Sequence, residues 1–332
     1  MTVTIGIKAY NEERHIAACL TSAVAAARQV GGVMVLADAG SGDRTVAIAR
    51  GFPVRIVQLA DARRRSCGAS AQLAFLHAEG EYFYLLDGDM VMHRDFLPAA
   101  IAFLDANPEV AGVGGRVREV NTDNQEFQIR ALAVEADRNW RPGIVDRLDC
   151  GGLYRVSAIR EVGYFADSNL HAFEEFELAA RLRSRGWKLA RIDLPAVDHY
   201  GHRTEGYRLL WRRLASGYAR APGEVLRAAI GQRHLPIVLR RLGHIRHGLC
   251  VILWWAALLL TLAAPLSPPV RMGLLLLLVL GPWLGLSWRR RSLWLGLYSM
   301  AAWNVTAVGL LLGLLWPRRP ATAPLPATSL TG

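Results

Sequence analysis

"YFYLLDGDMV" (residues 82–91) is a run of aromatic and aliphatic residues that ends abruptly in two aspartates separated by a glycine. The apolar part reads as a buried strand. Aspartates at a strand end also have ordinary uses, in turns or as caps of a following helix, here one beginning near Arg94. The rest of the chain has to separate those uses from a chemical one.

Moving outward, the first 120 residues alternate β-like runs with helix-like runs. "TVTIGIKAY" precedes a helix from Glu12, then come "VMVLAD", "VRIVQLA", a helix near residues 66–78, "YFYLLD" and "VAGVGGRV". That alternation predicts an α/β domain with a mainly parallel sheet covered by helices. Such sheets bind ligands beyond the carboxyl ends of their strands. "KAYNEE", "ADAGSGD" and "DGD" all fall there, so three polar clusters converge on one edge. Neither a G-x-G-x-x-G after the first strand nor a G-x-x-x-x-G-K-[ST] is present, so the dinucleotide and P-loop readings lose their main support.

The 332 residues carry a formal charge of +11. Such a charge raises nucleic acid as a partner, but its placement argues otherwise. Between Arg181 and Cys250 fifteen Lys and Arg stand against four Asp and Glu, which accounts for the whole excess. It adjoins the hydrophobic end of the chain, so anionic lipid is expected as the partner and nucleic acid is not. Cys19, Cys67, Cys150 and Cys250 lack the close spacing of zinc or redox motifs and read as reduced thiols in the cytosol.

From Gly248 to Trp316 the charged residues are Arg271 and the Arg289–Arg291 cluster. Three apolar segments result, at 248–264, 270–287 and 292–316. At about 1.5 Å per residue the shorter two reach roughly 26 Å, against a hydrocarbon core of about 30 Å. Three crossings put both "RRLGHIRHG" and "RRR" on the cytoplasmic side, with the N-terminal domain in the cytosol. This multi-pass reading sends Arg318 and Arg319 to the far side. A hairpin that dips in and returns stays open for the first pair. Residues 204–247 read as basic amphipathic juxtamembrane helices, with Tyr207, Leu210, Trp211, Leu214 and Tyr218 at helical spacing. That face suits lipid or packing on the preceding domain. Residues 317–332 read as a flexible tail.

Five stretches, "TIGIKAYNEERHIAACLTS", "VLADAGSGDRT", "AEGEYFYLLDGDM", "CGGLYRVSAIREVGYF" and "EEFELAARLRSRGWKL", resemble the successive motifs of family 2 glycosyltransferases. The resemblance covers residue 2 to about 203. It implies a GT-A nucleotide-sugar-binding domain, followed here by the helical transmembrane region. The nucleotide-diphosphate sugar is then expected at Ala9, Tyr10, Glu12, Asp38, Arg65, Asp87, Gly88 and Gly152. "DGD" takes the place of the family's DxD motif, so Mg²⁺ or Mn²⁺ is expected at Asp87 and Asp89, with His199 and His202 as candidate further ligands. In an extended segment the two carboxylates share a side and can address one ion. Missing side chains at Gly151 and Gly152 are expected to leave room for the donor sugar.

The family's general base falls in an E-D motif, which "FEEFEL" matches with Glu174 and Glu175, so the base carries an extra methylene. Both glutamates also suit a helix start, and "AGSGD" is also a good turn and cap. Other departures are Lys8 where a proline is usual, Ala39 for a second acid and Ala71 where an arginine is common. Arg63, Arg64 and Arg65 can compensate for the last. The implied activity is an inverting, metal-dependent transfer of one sugar to a lipid-linked or glycan acceptor at the cytosolic face of the inner membrane. Processive synthesis is the alternative, though no Q-x-x-R-W is present. A non-catalytic nucleotide-sugar-binding or assembly protein is the competing class.

Overall fold

A computed structural model of the chain describes residues 2–120, 137–201 and 206–331. These form two compact units, Met1–Arg203 together with Arg318–Gly332, and Thr204–Pro317. His202, a candidate ligand, lies outside the described residues.

The first unit is built on one sheet. Its strands are β1 (Val3–Ala9), β2 (Val33–Asp38), β3 (Arg55–Leu59), β4 (Tyr82–Asp87), β5 (Met90–Met92), β6 (Val110–Glu119), β7 (Gly143–Val145), β8 (Gly152–Arg155), β9 (Lys188–His199) and β10 (Ala327–Ser329). The order is β10-β3-β2-β1-β4-β8-β6-β9-β5, with β7 also on β9. Strands β3, β2, β1 and β4 are mutually parallel, as the alternation predicts. Beyond β4 the sheet is mixed: β8 runs antiparallel to both β4 and β6, while β6 and β9 are parallel.

Among the described residues this unit has six α-helices: α1 (Ile16–Val30), α2 (Thr45–Ala49), α3 (Cys67–Leu76), α4 (Phe96–Ala106), α5 (Val156–Glu161) and α6 (Glu174–Ser184). Period-2 alternation in β4 sends Tyr82, Tyr84 and Leu86 into the layer shared with α1 and α4, and Phe83 and Leu85 into the layer with α3 and α6. α1 buries Ile16, Cys19, Leu20, Ala23, Ala26 and Ala27, one helical stripe, and stops at Gly31, whose φ of 62° is the left-handed cap conformation. α3 starts where the Ser66 hydroxyl accepts the Ala69 amide at 2.9 Å.

The C-terminal residues depart from the expected flexible tail. β10 pairs antiparallel with β3, setting Ala327 opposite Leu59 and Ser329 opposite Val57. Leu325 is buried in the core, and Arg318 makes an ion pair of 2.9 Å with the buried Asp167. The sequence from Arg318 onward is polar and proline-rich, and no local pattern announces a strand that completes a sheet edge almost 270 residues upstream.

The second unit contains α7 (Gly206–Ala215), α8 (Ala221–Ala229), α9 (Leu235–Arg241), α10 (Gly243–Ala263), α11 (Pro268–Arg290) and α12 (Leu293–Leu315). The last three are long and apolar enough to cross a membrane. α7 buries Leu209 and Leu210 but leaves Tyr207 and Trp211 exposed.

Candidate active site

The parallel strands end together. Ala9 is opposite Asp38 and Lys8 opposite Asp87, so "KAYNEE", "ADAGSGD" and "DGD" do meet at one sheet edge. Gly88 sits tightly there: a Cβ on it would lie 3.1 Å from Glu12 Cγ and 3.3 Å from both Ala9 Cβ and the Lys8 carbonyl.

The segment is not extended throughout as expected: Asp87 ends β4, and Gly88 and Asp89 form the turn into β5. The two carboxylates therefore take different partners. Asp87 meets Lys8 at 3.1 Å, and Lys8 also ion-pairs with Glu174. Burial works against the Lys8 charge, but Asp87 and Glu174 outweigh it and hold the ammonium well above its ordinary value. Burial pushes Asp87 up, against the pull of Lys8. Asp89 instead faces His199 Nε2 at 3.5 Å, while His199 Nδ1 is fixed by Glu119 at 2.6 Å. Burial lowers His199, yet its bonds to Asp89 and Glu119 raise it to about 10. Glu12 is raised to about 8 by burial and then by Asp89 and Asp87.

These residues suit a divalent cation. Glu119 engages one ring nitrogen of His199 and leaves the other turned to Asp89, the arrangement that orients a histidine ligand. Crowded carboxylates beside it supply hard oxygen donors. Glu119, Cys150 and His199 also place three ligand atoms within 4.8 Å of one another.

Glu174 and Glu175 begin α6 and are nearly buried. Phe173 precedes them with a φ of 64°, a left-handed conformation costly for a bulky side chain. Further along α6, buried Arg181 pairs with Glu177 at 2.8 Å and donates to the carbonyls of Tyr164 and Phe165, locking the helix to the segment after α5. Glu175 accepts the Gly151 amide and the Tyr154 hydroxyl, both at 3.2 Å. Burial raises it to about 8, with Lys8 pulling down and Glu174 pushing up.

Gly151 and Gly152 serve packing and do not open space for a sugar. A Cβ on Gly151 would lie 2.6 Å from the Leu85 carbonyl, and one on Gly152 would lie 2.7 Å from Leu148 Cδ1. Asp38 is fully buried and engaged by its own turn, accepting the amides of Gly40 and Ser41 and the Gln58 side chain on Oδ2, and the Ser41 hydroxyl on Oδ1. It shapes the turn that walls the crevice. Arg65 stacks on Tyr10 at 3.8 Å and donates to the carbonyls of Ala39 and Gly40, which brings it to the same edge. Arg63 pairs with Asp61 and Arg64 donates to Pro324, so neither joins it.

Sequence reading passed over Lys8, Glu119 and Cys150 as site residues. Lys8 had a signal: it is one of two lysines in a chain that otherwise uses arginine, and it interrupts an apolar strand. Glu119 and Cys150 meet His199 through sheet pairing and a loop with Cys150 at φ 65°, which no local pattern encodes.

Residues 4–163 match the family model described as Glycosyl transferase family 2. Glucomannan 4-beta-mannosyltransferase 2 of Arabidopsis thaliana is 30% identical over 148 residues, 42% of this chain and 27% of its own length. Glucomannan 4-beta-mannosyltransferase 1 of Oryza sativa subsp. japonica is 31% identical over 123 residues, 34% of this chain and 23% of its own. The chain thus spans about a quarter of these relatives. Among solved structures, mannosyltransferase PcManGT from Pyrobaculum calidifontis, in complex with GDP-Man and Mn²⁺, aligns with a TM-score of 0.62 at 20% identity, over 95% of this chain and 87% of that one. S. aureus TarS 1-349 in complex with UDP-GlcNAc aligns with a TM-score of 0.52 at 14% identity, over 94% and 91%. At such identities these two speak to the fold alone.

Proposed function

We propose, from the premise that residues 4–163 form a glycosyl transferase family 2 domain in the GT-A fold, that this glycosyltransferase moves a hexose from a nucleoside-diphosphate donor to a lipid-linked or glycan acceptor. The transfer is a metal-dependent single displacement with inversion, at the cytosolic face of the membrane that receives α10–α12. The relatives' mannosyltransferase names make GDP-mannose the first donor to test. The observation that carries the reading is the meeting, at one sheet edge, of the Asp89–His199 pair, Asp87 and the Glu174–Glu175 start of α6.

Asp89 and His199, with Asp87 beside them, would hold Mg²⁺ or Mn²⁺, which when bound supplies positive charge to the diphosphate leaving group. Arg65 and Tyr10 border the nucleotide side of the crevice. Glu174 is held in an ion pair by Lys8. Glu175 has no cation in contact, and its raised affinity for protons makes it the stronger base. The acceptor hydroxyl gives its proton to Glu175 as its oxygen bonds to the anomeric carbon. The bond from that carbon to the diphosphate breaks, and the nucleoside diphosphate leaves with the electron pair. Lys8 and the bonds from Gly151 and Tyr154 hold the carboxylates in position through this exchange.

The test is nucleotide release and sugar transfer by detergent-purified protein against a donor panel, with Mn²⁺, Mg²⁺ or EDTA. Metal-dependent turnover of one donor is expected. Donor binding without turnover under any condition refutes the enzymatic mechanism and leaves the non-catalytic reading. Product length in the same assay distinguishes single transfer from processive synthesis, the alternative that the glucomannan relatives favour.

A further inference from the structure

We infer that the chain crosses the membrane twice, through an α10–α11 hairpin, and that α12 lies along the catalytic-side interface although it is long enough to span. The inference rests on the membrane reading of these helices and not on the sugar chemistry.

The first argument is parity. Residues 318–331 belong to the same folded unit as residues 2–201. β10 pairs with β3, Arg318 pairs with buried Asp167, and Asn169 exchanges hydrogen bonds with the Arg319 backbone at 2.9 and 3.0 Å. A strand cannot pair with a sheet through a bilayer. The chain therefore leaves the first unit after residue 201 and rejoins it at Arg318 on one side, and the number of crossings between them is even. Three apolar helices cannot all span.

The second argument says which one does not. α10 and α11 form an antiparallel pair: the Trp254 indole donates to the Leu278 carbonyl at 2.7 Å, and Arg289 and Arg290 lie within electrostatic reach of His247. His247 and Arg289 thus mark one end of the hairpin. Arg271 marks the other, closing on the Ala264 and Leu266 carbonyls at 3.0 and 3.4 Å. α12 does not run alongside this pair. Its Trp303 stacks on His247 with centroids 4.6 Å apart, and a Cβ on Gly248 would meet Leu310 at 2.8 Å and Ala307 at 3.6 Å. Asn304, between them, accepts the Trp255 indole at 2.9 Å, but Trp303 and Leu310, about 10 Å apart along α12, both sit against the same turn of α10. That is a crossing contact.

The rest of α12 stays at that same end. Tyr298 packs on Tyr207, while Gly296 packs on Ser287, Gly309 on the Ala219 carbonyl and Gly313 on the Arg220 carbonyl, three approaches that leave no room for a Cβ. Trp316 lies under the Arg220 guanidinium at 3.8 Å. Its partners are thus the polar mouth of the hairpin and the basic, amphipathic α7–α8 stretch, which are interfacial neighbours. Trp294, Tyr298 and Trp303, with Trp316 directly after it, give it the aromatic composition of an interface helix. This arrangement also returns Arg318 and Arg319 to the side that carries Arg240, Arg241, Arg246 and Arg289–Arg291, removing the charge conflict of three crossings.

The test uses full-length protein in which the four native cysteines are replaced and single cysteines are introduced as Arg50→Cys in the catalytic unit, Ser267→Cys at the hairpin tip, Ser292→Cys before α12 and Thr328→Cys in β10. Each is labelled with a membrane-impermeant maleimide in right-side-out and inside-out vesicles. Positions 50, 292 and 328 are expected to label from one side and 267 from the other. Position 328 labelling opposite to 50 overturns the parity. Position 292 labelling opposite to 50 makes α12 the returning span and overturns its assignment. Position 267 labelling with 50 overturns the crossing hairpin. An epitope appended to the otherwise unaltered chain after Gly332 reads the side of the tail independently of any cysteine variant. Release of the native protein by carbonate would instead refute the membrane reading itself.

Discussion

Lys8→Met isolates the least expected feature of the site. The side chain of Lys8 is 14% exposed and that of Glu174 7%, while Asp87 is 31% exposed. The Asp87 arm is therefore discounted for solvent screening, and the Glu174 arm carries the estimate. Removing one member of a buried pair costs about 3–5 kcal/mol, because the remaining charge is left uncompensated. A second route gives a similar figure. Keeping one carboxyl protonated at pH 7, about three units above its ordinary value, costs about 4 kcal/mol. For a unit of some 200 residues, about 2–4 °C per kcal/mol gives a fall in Tm of roughly 6–20 °C. The measurement is thermal unfolding of detergent-purified full-length protein in EDTA, with Lys8→Arg as the charge-conserving control. Mn²⁺ should recover more of the loss in Lys8→Met than it adds to the wild type, since a cation in the site then supplies the missing charge. A Tm within about 2 °C of wild type in EDTA would refute the buried-pair reasoning.

Asp89→Ala and His199→Ala should each abolish Mn²⁺ binding in an EPR titration and lower turnover by at least about 10²; undiminished Mn²⁺ affinity in both removes the assignment of the cation to this pair. Glu119→Gln should weaken Mn²⁺ binding by about 10–100-fold, the usual effect of losing the group that orients a histidine ligand, with an unchanged circular dichroism spectrum; equal affinity would show that His199 needs no partner. Glu175→Gln should cut transfer by about 10² to 10⁴ with donor affinity retained, and loss in Glu174→Gln alone would move the base by one residue. Because the folded protein holds Glu175 up at about 8 and the base acts deprotonated, wild-type kcat should rise with pH toward about 8, and that limb should vanish in the variant. A flat wild-type profile between pH 6 and about 9 would count against Glu175.

What the sequence made legible follows from how local each signal is. β1, β2 and β4 could be read because strands buried on both faces are continuous apolar runs, and their polar ends mark the ligand edge. The convergence of Lys8–Glu12, Asp38 and Asp87–Asp89 needs nothing beyond parallel pairing, so it was legible too. Orientation within the edge was not. Whether Asp87 turns to Lys8 or shares an ion with Asp89 depends on a two-residue turn, and an extended reading of "DGD" sets the two carboxylates on one side when the turn gives them separate partners. Gly151 and Gly152 were read as space for substrate, although the chain's own Leu85 and Leu148 fill it. β10 was invisible because an edge strand of three residues takes its stability from the partner it meets, not from its own pattern.

The departures from the family pattern are connected through α3. Ala71, standing where an arginine is common, is fully buried on that helix. Cys67 lies four residues before it, hence on the same helical face. The Cys67 thiol is raised to about 12 by burial and by Glu174, with Lys8 pulling it down, so Lys8 and Glu174 lie beside that face. The positive charge beside that face is Lys8, on the strand that α3 covers. Lys8 also acts on Glu175 as the strongest influence opposing its burial. A carboxylate one methylene longer than the family's aspartate reaches deeper, to the Gly151 amide and Tyr154 hydroxyl, where desolvation is severe and a nearby cation keeps deprotonation within range of neutral pH. Proline at position 8 could not supply that charge, and an arginine on α3 would have to share the buried space with Lys8. Lys8 is thus the cation that pairs with Asp87 and Glu174 and opposes the effect of burial on Glu175.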